Sequence, residues 1–318
     1  MSDDYKGNAP GDIRELVIPD GDGGQRLDQA LAKLLPEFSR NRIQNWIRAR
    51  RISVDEAWGT TKMKVLGGEA VRVAVETEPD ETPDAPEAIP INVVFEDAVL
   101  LVVDKPVGLV VHPGSGNPRG TLLNGLLHRV PQVAEVPRAG IVHRLDKDTS
   151  GLMVVAKTLT AQTDLVRQLQ ARTVQREYLT LVYGEVDHAG TVDAPLARDP
   201  YNRTKRAVHP MGKPAVTHYE VVERFPGVTL LRCKLETGRT HQIRVHMQHI
   251  GHPLVGEQLY SASRRHHHKI PFPRQALHAE RLGLVHPISQ AKMQWESPLP
   301  PDYASLLQAL RDNTDWIK

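Results

Sequence analysis

A single cysteine, Cys233, occurs in 318 residues, so an internal disulfide is excluded. Its alternating surroundings, VTLLRCKLE, make it a half-buried strand residue. Also missing is any run near the roughly 20 apolar residues that a membrane-spanning helix needs. The opening MSDDYKGNAPGD is polar and acidic, unlike a signal or transit peptide. Together these features point to a cytoplasmic protein. There is no GxxxxGK[ST] loop for a nucleoside triphosphate and no HEXXH metal motif. His241, His246, His249 and His252 lack a cysteine or paired acid at ligand spacing, so no metal is expected there. The triplet His266–His268 lies in a charged loop and is expected at the surface. No internal repeat or low-complexity block is found.

Charge imbalance is also small overall, at +2, but its distribution is uneven. From Arg26 to Arg51 there are seven Lys/Arg and two Asp/Glu, whereas Glu76 to Glu87 holds six Asp/Glu and no cation. Residues 1–23 read as a disordered leader. Leu27, Leu31, Leu34 and Leu35 then recur at helical spacing until Pro36. Ser39 suits the N-cap of a second helix carrying Ile43, Trp46 and Ile47 on one stripe. Short strand-like pieces follow at RISVDE, TKMKVL and AVRVAVE. The unit, residues 24–77, is small and basic, and Arg26, Arg40, Arg42, Arg50 and Arg51 are candidates for phosphate contacts.

Residues 78–90 are acidic and proline-rich and read as an extended linker. Residues 91–318 alternate strand patterns with helical ones. Strands are expected in INVVFED, AVLLVVDK, LMVVAKT, YLTLVYGEV, THYEVVERF and VTLLRCKLE. Helices are expected in GTLLNGLLHRV, TLTAQTDLVRQLQAR, HQIRVHMQHIG and DYASLLQALRDN. The hairpin-like succession THYEVVERF–PG–VTLLRCKLE favours an α+β domain with a largely antiparallel sheet.

Chemistry concentrates in HRLDKDTSG, residues 143–151. A carboxylate between Arg144 and Lys147 would stay ionised and could serve as nucleophile or base. Asp148, Thr149 and Ser150 read as a turn that satisfies backbone amides before Gly151. Local chemistry alone leaves Asp146 open between a catalytic and a turn role. In LETGRTHQIRVHMQHIG, Gly238 ends a strand, Arg239 lies in the turn and Arg244 on the following helix beside Ile243.

These blocks together resemble the RluA-type family of RNA pseudouridine synthases. HRLDKDTSGLMVVAKT is similar to the family signature, VVDKPVGLVVHPG to its first block and VQREYLTLVYG to its tyrosine-bearing block. ETGRTHQIRVHMQHIGHPLVGE is similar to the arginine-bearing block, and FPRQALHAERLGLVHP to the C-terminal stretch. Residues 24–77 resemble the S4-like RNA-binding domain that precedes the catalytic domain in many members. Asp104, in VVDKP, departs from the asparagine common there.

The resemblance implies an isomerase that turns uridine into pseudouridine without a cofactor. It implies Asp146 as the essential carboxylate, with attack at the sugar C1′, attack at the uracil ring and proton abstraction all open. It implies Tyr178 stacked on the base, Arg244 paired with Asp146, and Arg144 filling the space of the flipped nucleotide. His143 is expected to orient the loop, and Arg239 and Ile243 to face the substrate. Lys105 and His112 are expected to be RNA-facing or structural. The member most similar in its S4-like and C-terminal blocks modifies large-subunit ribosomal RNA. The implied partner is therefore that RNA, free or in a precursor subunit, with no membrane and no obligate protein partner. A glycoside hydrolase would need two facing carboxylates, and Asp146 is the one convincing candidate. A non-catalytic RNA chaperone would have no use for Asp146 and Tyr178.

Overall fold

The computed structural model describes residues 13–36, 38, 40–75, 85–114, 116–202, 204–260 and 270–312. The first half of the expected leader, Ser39, most of the acidic linker and His266–His268 lie outside them. The chain divides into two compact units, Met1–Glu81 and Thr82–Lys318.

In the first unit the strands are β1 (Ile13–Val17), β2 (Ile52–Val54), β3 (Ala57–Trp58) and β4 (Ala70–Ala74). They pair antiparallel in the order β1-β4-β2-β3. Helices α1 (Leu27–Leu34) and α2 (Arg40–Arg48) carry the expected stripes. Leu27, Leu31, Leu35, Ile43, Trp46 and Ile47 are buried against Val71 and Val73. Two expectations are corrected. The leader assigned through residue 23 contains β1, because Ile18 is fully buried at its end and Leu16 packs on the core. TKMKVL is not a strand. Its backbone pairs instead with the loop before α1, through Leu27 N to Met63 O, Val65 N to Gln25 O and Gly24 N to Val65 O.

The second unit is built on a nine-stranded sheet. Its strands begin with β5 (Asn92–Glu96), β6 (Leu100–Lys105), β7 (Ser150–Ala156), β8 (Gln175–Tyr183) and β9 (Gly190–Asp193). A small hairpin, β10 (Leu196–Arg198) and β11 (Arg206–Val208), stands apart from it. The sheet is completed by β12 (Val216–Phe225), β13 (Val228–Leu235), β14 (Leu277–Val285) and β15 (Lys292–Glu296). Their order is β5-β6-β7-β14-β8-β13-β12-β9, with β15 beside β14. Only β7 and β14 run parallel, so the sheet is mixed and largely antiparallel, and the domain is α+β as expected.

Alternation along the strands separates two cores. Leu101, Val103, Met153, Val155 and Tyr178 face α3 (Leu122–Arg129) and α5 (Gln242–His249). Leu100, Val102, Leu152 and Val154 face α4 (Leu159–Gln170), while Leu179 and Leu181 face α6 (Pro301–Arg311). Cys233 is fully buried in the first core, where burial pushes its thiol up to about 12. The sequence reading missed β14, although it lies near the centre of the sheet. Glu280 and Arg281 interrupt its apolar run, and Glu280 is nearly buried because Arg232 Nε reaches it at 3.2 Å. No helix among the described residues is long and apolar enough to cross a membrane.

Candidate active site

The loop leading into β7 is held from three directions. Lys105, at the end of β6, is 1% exposed and donates to the carbonyls of Pro106 (2.8 Å), Leu109 (3.0 Å) and Lys147 (2.9 Å). Burial pushes its pKa down to about 8, which leaves it mostly charged at neutral pH. His143 Nε2 accepts the Val154 amide at 3.1 Å, which ties the loop to β7. From before β14, Arg274 donates to Asp148 O at 3.1 Å and Gln275 Nε2 to Thr149 Oγ1 at 3.3 Å.

The turn itself closes by Thr149 N donating to Asp146 O at 3.1 Å. This corrects the expected side-chain turn, since Ser150 Oγ pairs with His278 Nδ1 at 3.0 Å. Gly151 takes φ +111°, and a Cβ there would lie 2.2 Å from Ala279 O. Only glycine lets β7 and β14 approach so closely. Lys105 is thus structural. Lys105→Met should take a charged donor from the carbonyls of Pro106, Leu109 and Lys147, leaving Lys147 O only the Gly108 amide, and lower the unfolding free energy by about 3 kcal/mol, which urea denaturation would measure.

Asp146 leaves this turn toward α5. Gln242 fixes the start of α5: its Oε1 accepts from Thr237 Oγ1 and Arg239 N, and its Nε2 donates to Val216 O and Thr217 Oγ1. Two residues on, Arg244 reaches two carboxylates. Its Nη1 donates to Asp146 Oδ2 at 3.0 Å, while Nε and Nη2 each donate to Glu257 at 2.7 Å. Burial opposes the Arg244 charge, but Glu257 and Asp146 outweigh it and raise its pKa above the ordinary arginine value. The Tyr260 ring lies under the guanidinium at 5.2 Å.

Tyr260 Oη accepts the Arg206 amide at 2.8 Å and sits 2.7 Å from His241 Nδ1. With its own proton directed to Nδ1, the His241 proton is left on Nε2, 3.7 Å from Asp146 Oδ1. Burial also lowers the His241 pKa, which keeps the ring neutral at pH 7. Tyr178 stands on β8, 6% exposed. Burial raises its pKa, Arg176 opposes the rise and Asp146 adds to it, so the phenol keeps its proton.

A cavity of about 560 Å³ is lined by Asp146, Tyr178, Arg244, Arg144, His143, Arg239 and Ile243, the seven candidates from this unit. Arg144 is exposed, and Arg239 Nε is anchored on Pro214 O at 3.1 Å. The candidates from the first unit divide differently. Arg26 and Arg40 clamp the buried Asp28, at 3.0 and 2.8 Å, with Gln44 as a third partner. Burial opposes the Asp28 charge, yet these bonds hold its pKa at about 2. Arg42 lies over the Phe38 and Trp46 rings. Arg50 is exposed and Arg51 half-buried.

Sequence reasoning missed Glu257, His241 and Tyr260 as members of the site. For Glu257 there was a signal: it is the only acidic residue between Glu236 and Glu280. Of the other tempting histidines, His246 and His252 serve as scaffold, His252 with its Nδ1 2.9 Å from Tyr183 O. His246 is fully buried between Thr217 Oγ1 and Ala194 O. Asp104 accepts from Asn92 Nδ2 across the β5–β6 pair at 3.3 Å, a local strand contact.

Known proteins share this architecture. A family model described as RNA pseudouridylate synthase matches residues 99–249. Ribosomal large subunit pseudouridine synthase D of Nitrosomonas europaea is 58% identical over 94% of this chain and 88% of its own length. The protein of the same name from Haemophilus influenzae is 54% identical over 91% of this chain and 92% of its own. Among solved structures, human RNA Pseudouridylate Synthase Domain Containing 1 matches 71% of this chain and 96% of its own at a TM-score of 0.54 and 26% identity. With identity of this extent running through both units, the chain belongs to the RNA pseudouridine synthase family.

Proposed function

We propose that this RNA pseudouridine synthase isomerises specific uridines of large-subunit ribosomal RNA, with Asp146 as the reacting carboxylate. The observation that carries the residue assignment is the Asp146–Arg244 pair, 3.0 Å apart, at the wall of a cavity that also holds Tyr178. The substrate class follows the names of the relatives.

The reaction breaks the N1–C1′ bond, rotates the uracil and joins C5 to C1′. The C5 proton is lost and N1 gains one, so nothing is consumed. A base inside a stem is out of reach until it is flipped from the stack. Arg144, exposed at the cavity wall, has the reach to fill the vacated space, and Tyr178 offers a ring on which the flipped base can lie. Arg244 then holds Asp146 in one orientation through a charge-assisted bond. Incubating the protein with ribosomal RNA and mapping the modified uridines tests the assignment. Modification confined to other RNA classes would overturn it.

The basic first unit supplies phosphate affinity and not chemistry in this reading. Arg40 serves mainly to fix α2 to α1 through Asp28, and Arg26 ties Asp28 to the Thr61 carbonyl, which leaves Arg42, Arg50 and Arg51 as its stronger RNA contacts. A chain lacking residues 1–81 should bind RNA more weakly. Its slope of log K on log salt should be shallower by about 0.7 for each lost contact to single-stranded phosphate. An unchanged slope in a salt titration would count against the role.

A further inference from the structure

Two donors in the cavity wall have no acceptor among the described residues. Arg176, on β8, is 6% exposed, and its Nε is buried without a hydrogen-bond partner. Its Nη2 donates to Glu236 O at a long 3.3 Å. The other donor is His143. Because its Nε2 accepts the Val154 amide, its proton sits on Nδ1, which is buried and equally without a partner. Burial pushes the His143 pKa down to about 3, and the Arg176 charge adds to the shift, so the ring is neutral and Arg176 is its neighbour.

Arg176 and Tyr178 are two residues apart on β8 and share the face toward the cavity. The turn opposite leaves room for the guanidinium: a Cβ on Gly238 would lie 2.6 Å from Arg176 Nη1. Arg244, equally buried, is bonded to two carboxylates, whereas Arg176 forms no ion pair with any described residue. A buried cation without a counter-charge is costly, and such a group persists where a ligand brings the charge. A uracil carbonyl would satisfy the hydrogen bond but not the charge. A phosphodiester oxygen satisfies both.

We propose that Arg176 and His143 form a phosphate subsite, which grips the RNA backbone beside the flipped uridine. The proposal rests on the RNA-modifying activity assigned to this cavity. Both groups would touch substrate, and neither would take part in the proton transfers.

The test uses the full chain and a short RNA around a uridine that the wild type modifies, labelled with tritium at C5. The RNA is made with its natural backbone, or with one neutral methylphosphonate on the 5′ or the 3′ side of the target. Wild type is expected to lose roughly 10- to 100-fold in kcat/KM on one of the two neutral RNAs, chiefly through KM. Arg176→Met should show that loss on natural RNA and no further loss on the neutral one. Losses that multiply would overturn the proposal. So would an Arg176→Met enzyme that stays sensitive to methylphosphonate but becomes indifferent to thio substitution at O2 or O4, since the partner would then be uracil.

A second readout separates binding from scaffolding. Methionine keeps the apolar stem and removes the uncompensated charge. The free Arg176→Met protein should therefore melt about 2 to 4 °C higher than wild type. A lower melting point with methylphosphonate discrimination intact would make Arg176 structural and sink the idea. Failure of the wild type on the natural RNA would be seen before any variant is compared, and would refute the activity assignment itself.

Discussion

Asparagine in place of Asp146 is expected to reduce tritium release from C5-labelled uridine RNA by roughly 10⁴-fold or more, with fold and RNA affinity intact. The geometry explains why the loss should be so selective. Asparagine matches aspartate in size, and the turn around position 146 closes through backbone, Thr149 N to Asp146 O, so it does not need the carboxylate. Arg244 keeps its two bonds to Glu257, at 2.7 Å each, and is not left as an uncompensated buried charge. The amide oxygen can still accept from Arg244 Nη1. What disappears is the negative oxygen at the cavity wall that could attack carbon or take a proton. A melting curve and an RNA-binding isotherm superimposable on those of wild type, with no tritium released, would complete the result. Turnover near the wild-type rate would remove Asp146 from the chemistry.

The loop around that carboxylate was legible in the sequence because its signal is local, while the choice of Asp146 within it rested on the family resemblance. HRLDKDTSG packs charge against an apolar strand, and α1, α2 and α5 announce themselves by periodicity alone. The strands β5 to β8, β12 and β13 are legible for the same reason: each buries an uninterrupted or alternating set of residues. Legibility ends where the structure depends on charges that meet across long separations. β14 carries Glu280 inside the sheet, and the Arg232 that makes this tolerable is 48 residues away. The arginines of the first unit look like one basic surface when counted. Asp28 accounts for two of them, and no periodicity reveals which. Lys105 reads as a candidate RNA contact in VVDKP, yet three carbonyls surround it, one of them 42 residues on. Motif resemblance paired Arg244 with Asp146, and the two side chains lie 3.0 Å apart, but it was silent on the second acid that holds Arg244.

That second acid carries the largest expected effect on stability. The Glu257 side chain is 1% exposed and bonds Arg244 through both oxygens, and Oε1 also accepts the Leu259 amide at 2.8 Å. Burial works to raise its pKa, but the Arg244 bonds and charge outweigh it and hold it below the ordinary 4.5. Glu257→Gln keeps the shape and one acceptor but removes the charge. It should cost about 3 to 5 kcal/mol in urea unfolding, because Arg244 then shares a single carboxylate at the cavity wall. Activity should fall with it, since Arg244 is drawn toward Asp146 and ties up the oxygen needed for chemistry.

The sign of the pH dependence follows from the depressed pKa. The stability contributed by Glu257 is fully present above 4.5 and drains as pH falls through the lower folded value, so the gap between wild type and Glu257→Gln should narrow in acid. Combining Glu257→Gln with Arg244→Met should recover most of the lost stability, since no buried cation then remains to be compensated, while activity stays lost. Additive destabilisation in that double variant would mean that the two side chains are not energetically coupled, and that Arg244 is held in place by Tyr260 and Asp146 instead.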